Sequence, residues 1–199
     1  MRARVGADVQ ILAVTKGFGP DAVESAAAVG LRAIGENYAR ELLAKAPVAS
    51  AAGLAVHHIG QLQSNKVRQL AGLVDLWETV DRSRLVAELA RRAPGARILV
   101  QVDTSGEAGK GGCPPDGVAD LVRDAATAGL RVEGLMTVGP TSGGPEAARP
   151  GFRAVRRLVD ELGLATCSMG MSGDLEIAVA EGSTEVRVGT ALFGVRPLR

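Results

Sequence analysis

The segment RILVQV, Arg97–Val102, is apolar on successive residues instead of alternate ones. A strand apolar on both faces belongs to a sheet covered on both sides, and such sheets are built from parallel strands joined by helical crossovers. The same grammar runs outward in both directions. Short apolar runs fall at Val9–Val14, Arg32–Ile34, Ala55–Ile59, Val74–Val80, Arg97–Asp103, Arg131–Val138, Ala165–Met169 and Glu185–Val188. Stretches of helical period lie between them, at Pro20–Val29, Tyr38–Ala46, Asn65–Ala71, Arg82–Arg92, Pro115–Ala128, Pro150–Leu162 and Leu175–Ala180. Two of these are visibly one-sided, with Leu85, Val86 and Leu89 on one stripe and Phe152, Val155, Val159 and Leu162 on another. Asp81 is placed to cap the helix at Arg82, and Pro150 suits a first helical turn, where its missing N–H is not needed. Strands alternating with helices eight times in 199 residues predict an α/β fold, a (β/α)8 TIM-type barrel forming a single domain over residues 1–199. An open, doubly wound sheet is the rival, but no GxGxxG follows the first strand. The stretch Gly139–Gly151 reads as a long flexible loop, and only a short final helix fits after Val188.

Composition narrows the function. With 46% apolar and 23% charged residues the chain is that of a soluble globular protein, and no run approaches the roughly 18 apolar residues that span a bilayer. A net charge of +1 with scattered basic residues supplies no stripe for nucleic acid, so small molecules are the expected partners. The opening MRARVGADVQ lacks the apolar core of a secretory signal, which predicts a cytoplasmic protein. Cys113 and Cys167 fall in unlike settings and predict neither a disulfide nor a metal site. The two histidines, His57 and His58, are adjacent and point to opposite faces of a strand, and no carboxylate cluster appears, so no metal is expected.

In a parallel barrel the residues after each strand share one mouth. Collected there are Lys16, Glu36, Asn37, His57, Gln61, Gln63, Asp81, Thr104, Glu107 and Thr137, then the turns SMGMSGD, Ser168–Asp174, and RVGTALFG, Arg187–Gly194. These turns follow strands seven and eight, where barrels commonly bind phosphate on backbone N–H groups and a helix N-terminus. Gly170 and Gly173 permit close approach, Ser172 and Thr190 offer hydroxyls, and Gly189 an N–H. Alternatively, Ser172 caps its helix while Asp174 satisfies the dipole. Lys16 is a solvated strand end, a counter-ion, or a nucleophile if a cationic mouth deprotonates it. Arg187, between Val186 and Val188, points inward and needs an acceptor, for instance Glu36 or Asp103. Asn37 caps the helix at Tyr38 or faces the mouth, and His57 is a core histidine or a mouth residue.

Taken together, AVTK (Ala13–Lys16), GENY (Gly35–Tyr38), HHIGQLQSNK (His57–Lys66), GLMTV (Gly134–Val138) and the segment Ser168–Gly194 resemble, in order and spacing, the pyridoxal phosphate homeostasis protein family. These proteins are single-domain relatives of the N-terminal barrel of alanine racemase. The resemblance runs from about Leu12 to Arg196 and implies that Lys16 forms a Schiff base with pyridoxal 5'-phosphate (PLP). It further implies that Ser172, Gly189 and Thr190 hold the phosphate, that Arg187 faces the pyridine nitrogen, and that Asn37 lies beside the ring. A permanently charged guanidinium leaves that nitrogen unprotonated and the ring a weak electron sink, which disfavours carbanion chemistry. The implied role is control of intracellular PLP supply without established turnover, in a cytoplasmic monomer that hands PLP to apo-enzymes. Racemisation is the alternative. It needs a second acid/base group opposite the lysine, which racemases take as a tyrosine from a second domain. The chain stops at Arg199, and its single tyrosine, Tyr38, follows Asn37 and is not expected to reach the opposite face. Three departures stand out: a short N-terminus that leaves little room for a helix before strand one, Phe18 where the family often has a second lysine, and Gln61 where its loop reads GPLQSNK.

Overall fold

The computed structural model describes residues 1–196; Pro197, Leu198 and Arg199, the end of the expected domain, lie outside the described residues. Eight strands, β1 (Gln10–Val14), β2 (Ala33–Glu36), β3 (Ala55–His58), β4 (Leu76–Val80), β5 (Arg97–Val102), β6 (Arg131–Thr137), β7 (Thr166–Ser168) and β8 (Glu185–Val188), form a closed barrel. Each pairs in parallel with its neighbours in sequence, and β8 returns to β1 with Gln10 opposite Glu185 and Ala13 opposite Val188. That last ladder excludes the open-sheet rival. The helices are α1 (Arg2–Val5), α2 (Asp21–Ala28), α3 (Ala39–Ala51), α4 (Val67–Leu70), α5 (Ser83–Arg92), α6 (Val118–Thr127), α7 (Arg149–Glu161), α8 (Leu175–Ala180) and α9 (Thr190–Phe193).

Alternation along the strands divides the molecule into two layers. Ile98, Val100 and Leu135 point outward and pack with Leu85, Leu89, Leu121, Phe152 and Val155 of the helices. Residues between them point inward, where Leu76, Leu99 and Met136 form a small apolar plug. Burying a Leu, Val or Phe side chain of this kind contributes about 1.5–3 kcal/mol, so the helix-facing layer carries most of the stabilisation. The interior also holds the buried polar side chains of His57, Glu78, Ser168, Glu185 and Arg187, and Arg187 reaches the mouth.

Several local expectations change. Asp81 does not cap α5, whose first turn has no side-chain cap; its carboxylate pairs with Arg82 and accepts the Gly112 N–H at 3.3 Å. Helix α3 does not stop before Pro47 but runs through it to Ala51. Proline removes one intrahelical hydrogen bond, and the apolar face of Leu42, Ala46 and Ala49 continues into the core on both sides of it. The expected loop Gly139–Gly151 is shorter, because Pro145–Ala148 forms a 3-10 turn that leads directly into α7. Before β1 there is one helical turn, α1, whose Val5 packs with Ile11, Leu175, Val186 and Val188.

One buried ion pair braces the upper end of β1. Lys45 of α3, 2% exposed, donates to Glu36 Oε1 at 2.7 Å and to the Thr15 carbonyl at 2.6 Å. Thr15 Oγ1 donates to the same Glu36 oxygen at 2.5 Å. Removing one partner of such a pair strands a buried charge at a cost of about 3–5 kcal/mol, whereas replacing both is far cheaper. Lys45→Met is therefore expected to lower stability by about that amount, and Lys45→Met with Glu36→Gln to recover most of it. Denaturant unfolding checks this; a double variant no more stable than the single one would refute the ion-pair account.

Candidate functional site

At the C-terminal ends of the strands lies a cavity of about 440 Å³, within the size range of small-molecule sites. Its wall brings together all six residues singled out from the sequence: Lys16, Asn37, Ser172, Arg187, Gly189 and Thr190. Lys16 follows β1 in a turn closed by the Phe18 N–H bonding the Thr15 carbonyl at 3.1 Å. Gly17 takes φ +80°, which an L side chain resists, and its N–H reaches Glu41 Oε2 at 2.7 Å. Phe18, in place of the family's second lysine, packs on Phe193 with ring centroids 5.4 Å apart, fastening this turn to α9. Burial, then the positive charges of Arg196 and Arg187, hold the Lys16 amine below the usual lysine range, while Glu36 pulls the other way. The net effect is a larger neutral, nucleophilic fraction near neutral pH.

The two turns after β7 and β8 meet. Ser172 does not cap α8, which has no side-chain cap; instead its Oγ accepts the Ala191 N–H of α9 at 3.3 Å. Asp174 closes its own turn, accepting the Met171 N–H at 2.6 Å. Gly189 lies against β1, where a Cβ would approach the Val14 carbonyl oxygen to 3.2 Å. Gly173 lines the cavity but Gly170 does not. A Cβ on Gly170 would come within 2.4 Å of Ala178, so that glycine serves packing of the turn on α8.

Arg187, 4% exposed, bonds neither Glu36 nor Asp103. Its Nη1 donates to the Ser168 carbonyl and to Ser168 Oγ, both at 2.8 Å, and its Nη2 to the Thr137 carbonyl at 2.6 Å. Glu36 is committed to Lys45. Asn37 is not the N-cap of α3, which is Tyr38, and its Oδ1 is buried with no hydrogen-bond partner among the described residues. The Asn37 backbone is pressed against Gly60, where a Cβ would lie 2.3 Å from the Asn37 carbonyl oxygen, and Thr79 Oγ1 fixes the Gly60 carbonyl at 2.6 Å.

Other mouth candidates separate. Gln61 lines the cavity; His57 does not, being turned into the barrel interior where its Nδ1 contacts Glu78 Oε1 at 2.7 Å. Glu107 holds Thr141, accepting its N–H at 2.8 Å and its hydroxyl at 2.7 Å. Thr137 Oγ1 donates to the Val102 carbonyl at 2.9 Å. Sequence reading missed Lys110, Gln101 and Arg196, which also line the cavity. Gln101 carried a signal, a polar residue inside RILVQV; Arg196 carried none. It also missed a buried carboxylate cluster: Glu78 of β4 and Glu185 of β8 meet His57 of β3, with donor atoms within 4.8 Å of one another. His57 Nδ1 is within hydrogen-bond distance of Glu78 Oε1, at 2.7 Å, and 3.7 Å from Glu185 Oε2.

Comparison with known proteins identifies the family of the chain. The family described as alanine racemase, N-terminal domain, matches residues 1–197. The pyridoxal phosphate homeostasis protein of Pseudomonas aeruginosa is 41% identical, with 96% of this chain and 86% of that protein aligned. That of Aquifex aeolicus is 39% identical over 94% and 87% of the two chains. The solved structure of PipY from Synechococcus elongatus PCC7942, with PLP bound, superposes with a TM-score of 0.86 at 30% identity, covering 97% of this chain and 96% of that one. By the family match along its length and by these relatives, the chain belongs to the alanine racemase N-terminal domain family and, within it, to the pyridoxal phosphate homeostasis proteins.

Proposed function

We propose that this chain binds pyridoxal 5'-phosphate in the mouth cavity, tethers it covalently and reversibly to Lys16, and acts in intracellular PLP homeostasis without turnover. The observation that carries the reading is the convergence, in one cavity, of a lysine held below its usual pKa with a hydroxyl and glycine turn built from two strand ends. Three features of the protein fit the group. Ser172, Gly189 and Thr190 offer hydroxyl and N–H donors suited to a phosphate. Arg187 is a donor only, suited to an unprotonated ring nitrogen. The unpartnered Asn37 Oδ1 marks an amide available to a polar ring substituent. When bound, PLP would supply an electrophilic aldehyde to the neutral Lys16 amine, with Ser172, Gly189 and Thr190 holding its phosphate.

The rest is done by the chain. Lys16 enters as the neutral amine, favoured by burial and by two guanidinium neighbours. Arg187 places no acid beside the ring, so the site favours holding over carbanion chemistry. Racemisation is not favoured: it needs a second acid/base group across the ring. Among the described lining residues the other amine is Lys110, and it is occupied by the Gly139 carbonyl at 2.5 Å and the Glu107 carboxylate at 3.0 Å. We further propose that the protein is a cytoplasmic monomer acting as one unit over residues 1–199, and that it passes PLP to apo-enzymes that require it. No described helix is long and apolar enough to cross a membrane.

Purified protein incubated with PLP is expected to gain a visible absorption band that survives dialysis, and Lys16→Ala to lose it; a colourless wild-type protein would end the proposal. Ser172→Ala removes a donor to the phosphate and is expected to weaken PLP binding about tenfold, measured by titration. The pH dependence has a definite sign. Arg196 lowers the Lys16 pKa, so Arg196→Ala is expected to raise it, slowing band formation near pH 7 and leaving the rate at high pH unchanged. An unshifted pH–rate profile would remove Arg196 from the account. Holo-protein given a single-enantiomer amino acid is expected to leave its optical activity intact.

A further inference from the structure

Beneath the mouth, four buried side chains, His57, Glu78, Ser168 and Arg187, form one hydrogen-bonded line, and a fifth, Glu185, flanks it. Glu185 lies 3.7 Å from His57 Nδ1, which contacts Glu78 Oε1 at 2.7 Å. Glu78 Oε2 accepts the Ser168 hydroxyl at 2.8 Å, and Ser168 Oγ accepts Arg187 Nη1 at 2.8 Å. None of the five is more than 5% exposed. Only Arg187 of these lines the cavity.

The direction of each bond follows from donor inventory. An ionised carboxylate only accepts, so Ser168 must turn its single hydrogen to Glu78 and present a lone pair to Arg187. A protonated Glu78 would compete with Arg187 for that lone pair. The groups facing Glu78 prevent this. Burial alone would raise its carboxyl, but the His57 hydrogen bond, the His57 and Arg187 charges and the Ser168 hydroxyl bring it below the usual carboxylate range. Burial alone would likewise lower His57, but its hydrogen bond to Glu78 and the charges of Glu78 and Glu185 raise it against the opposing charge of Arg97. Glu185 takes up the surplus: burial and then the Glu78 charge push its carboxyl up to about 8, and Gln10 Nε2 donates to its Oε2 at 3.0 Å. Within this line a proton near Glu185 and an anion at Glu78 are mutually consistent.

We infer that Glu78, acting through Ser168, is the positioning residue that aims Arg187 into the mouth cavity, with His57 supplying the N–H that keeps Glu78 an acceptor. The inference rests on the cofactor reading only for its second readout below. In the cofactor-free protein, the side-chain 15N–1H signals of Arg187 report its restraint directly. They are expected to be dispersed and slow to exchange in the wild type and in Ser168→Thr, which keeps the hydroxyl. In Ser168→Ala and Glu78→Gln the Nη1 signals are expected to broaden and exchange faster, while the Nη2 signals, held by the Thr137 carbonyl, stay dispersed. If Glu78→Gln does not fold, Ser168→Ala decides alone. PLP affinity is expected to fall on the order of tenfold in Ser168→Ala and to return in Ser168→Thr. Nη1 signals of Arg187 unchanged in Ser168→Ala would overturn the inference, as would broadened Nη1 signals with unchanged PLP affinity. A wild type that binds no PLP overturns the cofactor reading instead, and the Arg187 signals then decide this one.

Discussion

The pairing of β1 with β8 is the constraint on which the rest depends. It sets Leu12 opposite Arg187 and Ala13 opposite Val188, so that the residues leaving the two strands emerge side by side. Lys16 and Gly189 share a cavity wall for that reason alone. Without the ladder, the lysine turn and the glycine–threonine turn would be ends of an open sheet. With it, the Phe18–Phe193 contact and the approach of Gly189 to the Val14 carbonyl close the seam at the level of the mouth.

Above that seam the electrostatics are one-sided. Lys16, Lys110, Arg187 and Arg196 line the cavity, and no carboxylate is among its described lining residues. The acids are one level down: Glu36 is engaged by Lys45, and Glu78 and Glu185 by His57. This layering places positive charge where an anion would enter and keeps counter-charge in the barrel interior. Burial and then the neighbouring guanidiniums hold Lys16 below its usual range, while against burial the Glu78 hydrogen bond and the Glu78 and Glu185 charges hold His57 above its own.

Much of this was legible in the sequence because a parallel barrel converts order along the chain into position in space. RILVQV announced burial on both faces, and β5 is exposed only at Arg97. The turns SMGMSGD and RVGTALFG could be assigned to one mouth from their places after strands seven and eight, and the resemblance then ordered their roles. What escaped depended on pairs that sequence spacing does not encode. Ser168 and Glu78 are 90 residues apart and meet only because both point inward at one level. Lys45 of α3 reaches under β1 to the Thr15 carbonyl and to Glu36 of β2, partners that spacing along the helix does not reveal. Asp81 stood correctly before a helix, but Arg82 beside it offered a stronger, charged partner than a backbone N–H.

The barrel seam has a consequence for biosynthesis. Lys16 is made well before Gly189, and chains are synthesised at about 5–20 residues per second from the N-terminus. For most of that time the nascent chain carries the amine but lacks β8, Arg187 and the turn that would complete the cavity. An aldehyde binding site therefore comes into being only when the final strand is inserted, which couples acquisition of the ligand to completion of the fold.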